Sequence, residues 1–100
     1  MQTRINLADI KEKLRQEFPL LAERYRVQSM GVFGSYVRHD QRPESDVDVL
    51  VTFDAPPGLL KFIELEDYLS DLLGVKVDLV MKDALKPAIG KFILNEVVAV

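Results

Sequence analysis

The sequence predicts an α+β (α/β) domain in which helices pack against one twisted β-sheet. Three observations carry that prediction. Leu7, Ile10, Leu14 and Phe18 recur at helical spacing. Residues 46–53 alternate strictly, with Val47, Val49, Val51 and Phe53 on one face and Asp46, Asp48, Leu50 and Thr52 on the other. The predicted elements follow one another as helix, strand, short helical turn, strand, helix, strand, helix. A chain of 100 residues makes one domain, residues 1–100, without linker, repeat or low-complexity tract.

Each element has its own local signal. Asn6 caps the first helix, and Pro19 interrupts or restarts it before Leu20–Tyr25 add a further turn or two. Val27–Phe33 reads as the first strand, with Gly31 inside it, and Gly34-Ser35 stops it abruptly. Ser35–Arg38 reads as a short helical turn, and the Pro-containing polar segment 40–45 as a loop. After the second strand, Pro56-Pro57-Gly58 turns the chain into a helix from Leu59 to Leu73. The spacing predicts Leu59, Phe62, Leu65, Leu69 and Leu72 facing inward, with Gly74 as the left-handed C-terminal cap. Val75–Met81 reads as a third strand. Pro87 suits the first turn of a last helix carrying Ile89, Phe92 and Ile93, and residues 97–100 as an edge strand.

Composition narrows the chemistry. The chain is 48% hydrophobic and 29% charged, in the ordinary range for a globular protein. It has no cysteine and a single histidine, His39, so thiolate and histidine-rich zinc sites are excluded. A metal would have to sit on oxygen ligands, which suits Mg²⁺ or Mn²⁺. The N-terminus carries no apolar signal run and no stretch approaches the roughly 20 apolar residues that span a bilayer, so a cytoplasmic location and no membrane partner are expected. The net charge of −3 is uneven: residues 1–42 carry eight Lys/Arg against five Asp/Glu, and residues 43–100 five against eleven. No dense basic stripe is present, which argues against extended nucleic-acid binding.

The residues with chemical potential lie between Gly34 and Asp78. Gly34 lets the backbone turn sharply and approach a ligand, and Ser35 opens a helical turn whose free N–H groups suit a phosphate. Taken alone, the pair reads as simply as a loop glycine and a Ser cap. Asp46 and Asp48, two apart on a strand, leave the same face about 7 Å apart at Cα. They suit a cation pair, or else the wet face of a strand, although Leu50 on that face speaks against a simply solvated surface. Asp78 sits mid-strand, where Asp is depleted, and reaches the same site if its strand neighbours residues 46–53. Tyr36 and Arg42 read as structural or rim residues, and Glu64, Glu66, Asp67 and Asp71 as the solvated face of their helix.

In order and spacing, Gly-Val-Phe-Gly-Ser-Tyr-Val-Arg (31–38), Ser-Asp-Val-Asp-Val-Leu-Val (45–51) and Gly-Val-Lys-Val-Asp-Leu-Val (74–80) resemble the minimal nucleotidyltransferases of the DNA polymerase β-like superfamily. The likeness covers nearly the whole chain. It implies the nucleotidyltransferase fold, with a small mixed sheet. It also implies that Gly34 and Ser35 hold the phosphates of ATP or another NTP, and that Asp46 and Asp48 hold two Mg²⁺. Asp78 would be the third carboxylate, activating the acceptor hydroxyl. Arg38 matches a frequent family Arg that would touch the triphosphate or the acceptor, whereas His39 departs from the glycine often found there.

Minimal members of this kind are often paired with a helical HEPN protein, as the antitoxin of a toxin–antitoxin module, and transfer AMP to a tyrosine of that ribonuclease. The resemblance therefore implies a protein adenylyltransferase with a HEPN partner. The competing readings are an antitoxin that neutralises its partner by contact alone, and a transferase acting on a small molecule or RNA end with another subunit.

Overall fold

The first helix, α1, spans Leu7–Tyr25. Its start is fixed by a reciprocal cap: the Asn6 side chain accepts the Asp9 N–H at 2.8 Å, and Asp9 reaches back to the Asn6 N–H. The computed structural model describes residues 5–100; the first four, part of the N-terminus predicted to lack a signal run, lie outside the described residues. α1 continues through Pro19, where the sequence predicts an interruption or restart. Pro19 lies on the exposed side, as does Arg15 four residues earlier, so solvent can satisfy the carbonyl that the missing N–H leaves free. The helix closes with Arg26 in the left-handed conformation, and the chain enters a strand at once.

The strands are β1 (Val27–Phe33), β2 (Val47–Phe53), β3 (Val77–Met81) and β4 (Val98–Ala99), ordered β3-β2-β1-β4 in one sheet. β1 runs antiparallel to β2 and to β4, whereas β2 and β3 are parallel, so the sheet is mixed. Parallel strands need a crossover, which α3 (Leu59–Leu73) provides; a single turn, α2 (Ser35–Arg38), lies in the connection between β1 and β2. Gly31 allows β4 to lie close to β1, because a Cβ there would stand 2.5 Å from Val97 Cγ2 and 3.2 Å from the Val98 carbonyl oxygen.

The two faces of the sheet differ. On one, Ile10, Leu14, Leu21 and Tyr25 of α1 and Leu65, Leu69 and Leu73 of α3 pack on Val27, Val32, Val47, Val49, Val51, Val77 and Leu79. On the other, a small cluster of Phe33, Leu50 and Ile93 lies beneath α4 (Pro87–Glu96), with Val80, Leu85 and Val97 packed at its margin. Leu50 is thus buried on the face of Asp48, because α4 covers it. Among the described residues, no helix is long and apolar enough to cross a membrane.

Several predicted positions differ. Leu59 was expected to face inward but is 73% exposed. It is the first residue of α3, six residues before the stripe formed by Leu65, Leu69 and Leu73 begins and about 80° around the axis from its centre. Of the residues predicted for the last helix, Ile93 is buried while Ile89 and Phe92 are exposed, since α4 rests on the sheet through Gly90 and Ile93. β3 begins at Val77 rather than Val75. Glu66 is not simply solvated: its carboxylate accepts the Leu79 N–H at 2.9 Å, while Ser70 Oγ accepts the Val77 N–H at 2.9 Å. α3 thereby satisfies outward-facing donors of the edge strand β3.

This packing predicts a sharp contrast within α3. Leu65→Ala, at a fully buried position, should lower the unfolding free energy by about 2–5 kcal/mol, whereas Leu60→Ala, at a position 83% exposed, should change it by no more than about 0.5 kcal/mol. Urea denaturation followed by circular dichroism measures both; equal losses would contradict the assignment of the buried stripe.

Candidate active site

The site begins where β1 ends. Phe33 pairs with Asp48 across β1 and β2, which brings the next residue, Gly34, beside the Asp48 side chain. Gly34 has φ 85° and ψ −154°, a region that residues bearing a Cβ avoid. A Cβ there would also stand 2.1 Å from Asp48 Oδ2. Glycine is required at this position for both backbone and space. The Gly34 carbonyl accepts N–H groups from Val37 and Arg38 at 3.0 and 3.2 Å, folding Ser35–Arg38 into the turn α2. His39 ends that turn at φ 61°, a left-handed conformation that explains why a glycine suits the position.

Asp48 and Asp78 are direct partners in the parallel register of β2 and β3, on the sheet face that carries α4. This is the neighbour relation that the sequence reading required of Asp78. Asp46 stands one residue before β2, so it belongs to the approach to the strand rather than to its ladder. Asp48 is half-buried, and its carboxyl is pushed up to about 6: burial contributes most, followed by the charges of Asp78 and Asp46. Arg38 opposes the shift and Glu96 adds to it. Tyr36 is buried in the main core, its hydroxyl pKa raised first by burial and then by the Asp46 charge.

Among the described residues, no three His, Cys, Asp or Glu side chains form a cluster able to hold a metal ion as they stand. Asp48 and Asp78 share one face, and Asp46 and Asp78 both raise the Asp48 pKa. An all-oxygen set of mutually repelling carboxylates fits a hard divalent cation, which would relieve that repulsion.

Glu96, the last residue of α4, was not identified from the sequence as part of the site. Its Oε2 accepts the Gly34 N–H at 2.9 Å, and its Oε1 accepts Arg38 Nη1 at 2.6 Å. Arg38 also approaches Asp40 at 3.4 Å. A signal was present: an acid in the last turn of a helix opposes the helix dipole, and Glu96 follows the largely apolar segment Phe92-Ile93-Leu94-Asn95. A local conflict of this kind points to a tertiary partner.

The turn geometry predicts a stability difference between neighbours. Gly34→Ala should cost about 1–3 kcal/mol through backbone strain and displacement of Asp48, while Ser35→Ala should stay within about 0.5 kcal/mol of the parent. Equilibrium denaturation of the two variants measures this, and a Gly34→Ala chain as stable as the parent would show that the turn relaxes freely.

Comparison with known proteins accords with this geometry. The family model described as nucleotidyltransferase domain matches residues 7–100. The protein adenylyltransferase MntA of Thermococcus cleftensis is 53% identical over 96 residues, covering 96% of this chain and 97% of its own. A solved structure provisionally described as a minimal nucleotidyltransferase superposes with a TM-score of 0.83 at 31% identity, covering 99% of this chain and 100% of that one. Two further structures share the fold at lower identity. One is a toxin–antitoxin with AMP-PNP, with a TM-score of 0.70, 24% identity and coverage of 95% and 72%. The other is a tri-AMPylated HEPN toxin of Shewanella oneidensis in complex with its MNT antitoxin, with a TM-score of 0.66, 20% identity and coverage of 90% and 70%. With its family model spanning almost the whole chain and a relative identical at more than half of the aligned positions, this chain belongs to the nucleotidyltransferase domain family.

Proposed function

We propose that the chain is a protein adenylyltransferase that moves AMP from ATP to a tyrosine of a HEPN-family toxin, and so acts as its antitoxin in the cytoplasm. The observation that carries this reading is the gathering of the Gly34 turn, Arg38, Asp48 and Asp78 at one end of one sheet face, with Asp46 beside them. The protein adenylyltransferase name of the relative and the AMPylated HEPN toxin in the structural neighbour supply the substrate class and the partner.

In this reading Ser35 and Arg38 bind the triphosphate, and Gly34 provides the close backbone approach. Asp46, Asp48 and Asp78 hold Mg²⁺, two ions, with Mn²⁺ as a substitute. Bound there, the metal supplies positive charge at the attacking and leaving oxygens. The acceptor hydroxyl attacks the α-phosphorus; its oxygen–phosphorus bond forms as the bond to the β-phosphate oxygen breaks, and pyrophosphate leaves. Asp78, the more exposed of the facing pair, takes the hydroxyl proton. Positioning and electrostatics account for most of the rate in such a transfer.

A second reading, neutralisation by contact alone, draws on the exposed apolar side chains Leu59, Leu60 and Ile63 of α3 on one side of the sheet and Ile89 and Phe92 of α4 on the other, either of which offers contacts without chemistry. One double variant separates the two. Asp46→Asn with Asp48→Asn should reduce nucleotide transfer by roughly a hundredfold or more while leaving the complex with the toxin intact, because an interface of standard size draws on about 20–30 residues a side. Mass spectrometry of the toxin after incubation with ATP and Mg²⁺ reads the transfer, and a pull-down reads the contact. If the double variant silences the toxin as well as the parent does, the catalytic reading fails and contact alone explains the antitoxin.

A further inference from the structure

We propose that Glu96 is a positioning residue for the transfer reaction, acting through Arg38 and through the Gly34 turn. The inference rests on the reading that Arg38 contacts the triphosphate.

Glu96 reaches the site from a separate part of the chain. It ends α4, 62 residues beyond Gly34 and 58 beyond Arg38, and its side chain is only 14% exposed. Each carboxylate oxygen has a different task. Oε2 holds the Gly34 N–H at 2.9 Å, and Oε1 holds Arg38 Nη1 at 2.6 Å, a charge-assisted hydrogen bond. Gly34 occupies a backbone region open to glycine but not to residues with a Cβ, and glycine's freedom leaves the shape of the turn to be set by the groups around it. Asp48 bounds the turn at the Gly34 Cα, and Glu96 bounds it at the N–H. The Gly34 N–H is therefore already engaged, and glycine contributes shape to the phosphate cradle rather than a donor.

Arg38 is nearly half exposed, and a long side chain in that position samples many rotamers unless a partner restrains it. Glu96, well shielded and anchored by α4, is that restraint. Asp40 lies only two residues along the chain and is exposed itself, at a longer 3.4 Å. The Glu96 carboxylate thus links the end of α4 to the nucleotide side of the site, and α4 becomes a working part of the active site as well as a cover for Leu50 and Phe33.

Glu96→Gln separates the two contacts. The amide oxygen can still accept the Gly34 N–H, but the amide nitrogen cannot accept from Arg38. The measurement is the Mg²⁺-dependent affinity of the full chain for AMP-PNP, with the melting temperature as a control for folding. Glu96→Gln and Arg38→Ala should each weaken binding by about tenfold, the size expected for one charge-assisted hydrogen bond, and the double variant should be no worse than either alone. Glu96→Ala should lose more than Glu96→Gln, because the turn is released as well. Unchanged affinity in Glu96→Gln, unchanged affinity in Arg38→Ala, or losses that multiply in the double variant would each overturn the proposal. Asp48→Asn, assayed for transfer alongside, reports on the catalytic reading independently, so failure of the Glu96 proposal is distinguishable from failure of the proposed function.

Discussion

The Asp48 carboxylate lies so close to the backbone of Gly34 that no side chain fits between them, and the rest of the site is arranged around this contact. It follows from the pairing of Phe33 with Asp48, which places the end of β1 beside the carboxylate. It dictates glycine, and with glycine a backbone conformation that turns the chain directly into α2. Because β2 also pairs in parallel with β3, the same carboxylate meets Asp78 on its other side. A single residue of the inner strand β2 therefore connects the Gly34 turn to the acidic group. A shift of β2 by one residue would turn Asp48 toward the core and expose Val47 or Val49.

The division of labour between the sheet faces explains how 100 residues support such a site. Nearly all of the large buried side chains belong to the face covered by α1 and α3, which supplies most of the stabilising burial. The opposite face carries one ten-residue helix and a three-residue buried cluster. That leaves the end of the sheet bearing Asp48 and Asp78 accessible, at the expense of burial. The half-burial of Asp48 among like charges is unfavourable in the folded chain, and the main core offsets it.

The parts of the fold that were legible in the sequence are those decided within one element. The Asn6 cap, the alternation within residues 47–53 and the left-handed Gly74 depend on neighbours a few residues away, and each is found as expected. Asp48 and Asp78 were visible as chemically odd residues in apolar strands, and strand pairing makes them partners. The features that were missed depend on packing between distant segments. Leu59 has the right type for a buried stripe but stands in the first turn of α3, before the stripe begins, and Pro19 is tolerated because of the side of α1 on which it falls. Glu66 looks like any surface acid until β3 presents an N–H to it, and Glu96 until the end of α4 is brought to Gly34. Resemblance to a family implies roles for the motif residues but says nothing about Glu96, which lies outside the three motifs.

The charges around the site also bear on how a nucleotide enters it. Asp46, Asp78 and Glu96 all act on Asp48 in the direction of protonation, and Arg38 alone among the named groups opposes them. That guanidinium is already paired with Glu96 and Asp40. A triphosphate brought to such a place on its own would add several negative charges to a cluster that is already negative, with one shared cation to balance them. On the proposed reading, nucleotide and divalent cation must therefore bind together, the cation neutralising the aspartates and the phosphates at once. On the same reading, Glu96 would hold the Arg38 guanidinium at the site while leaving its remaining N–H donors free to reach phosphate oxygens, so one cation can be restrained by a carboxylate and still serve the nucleotide.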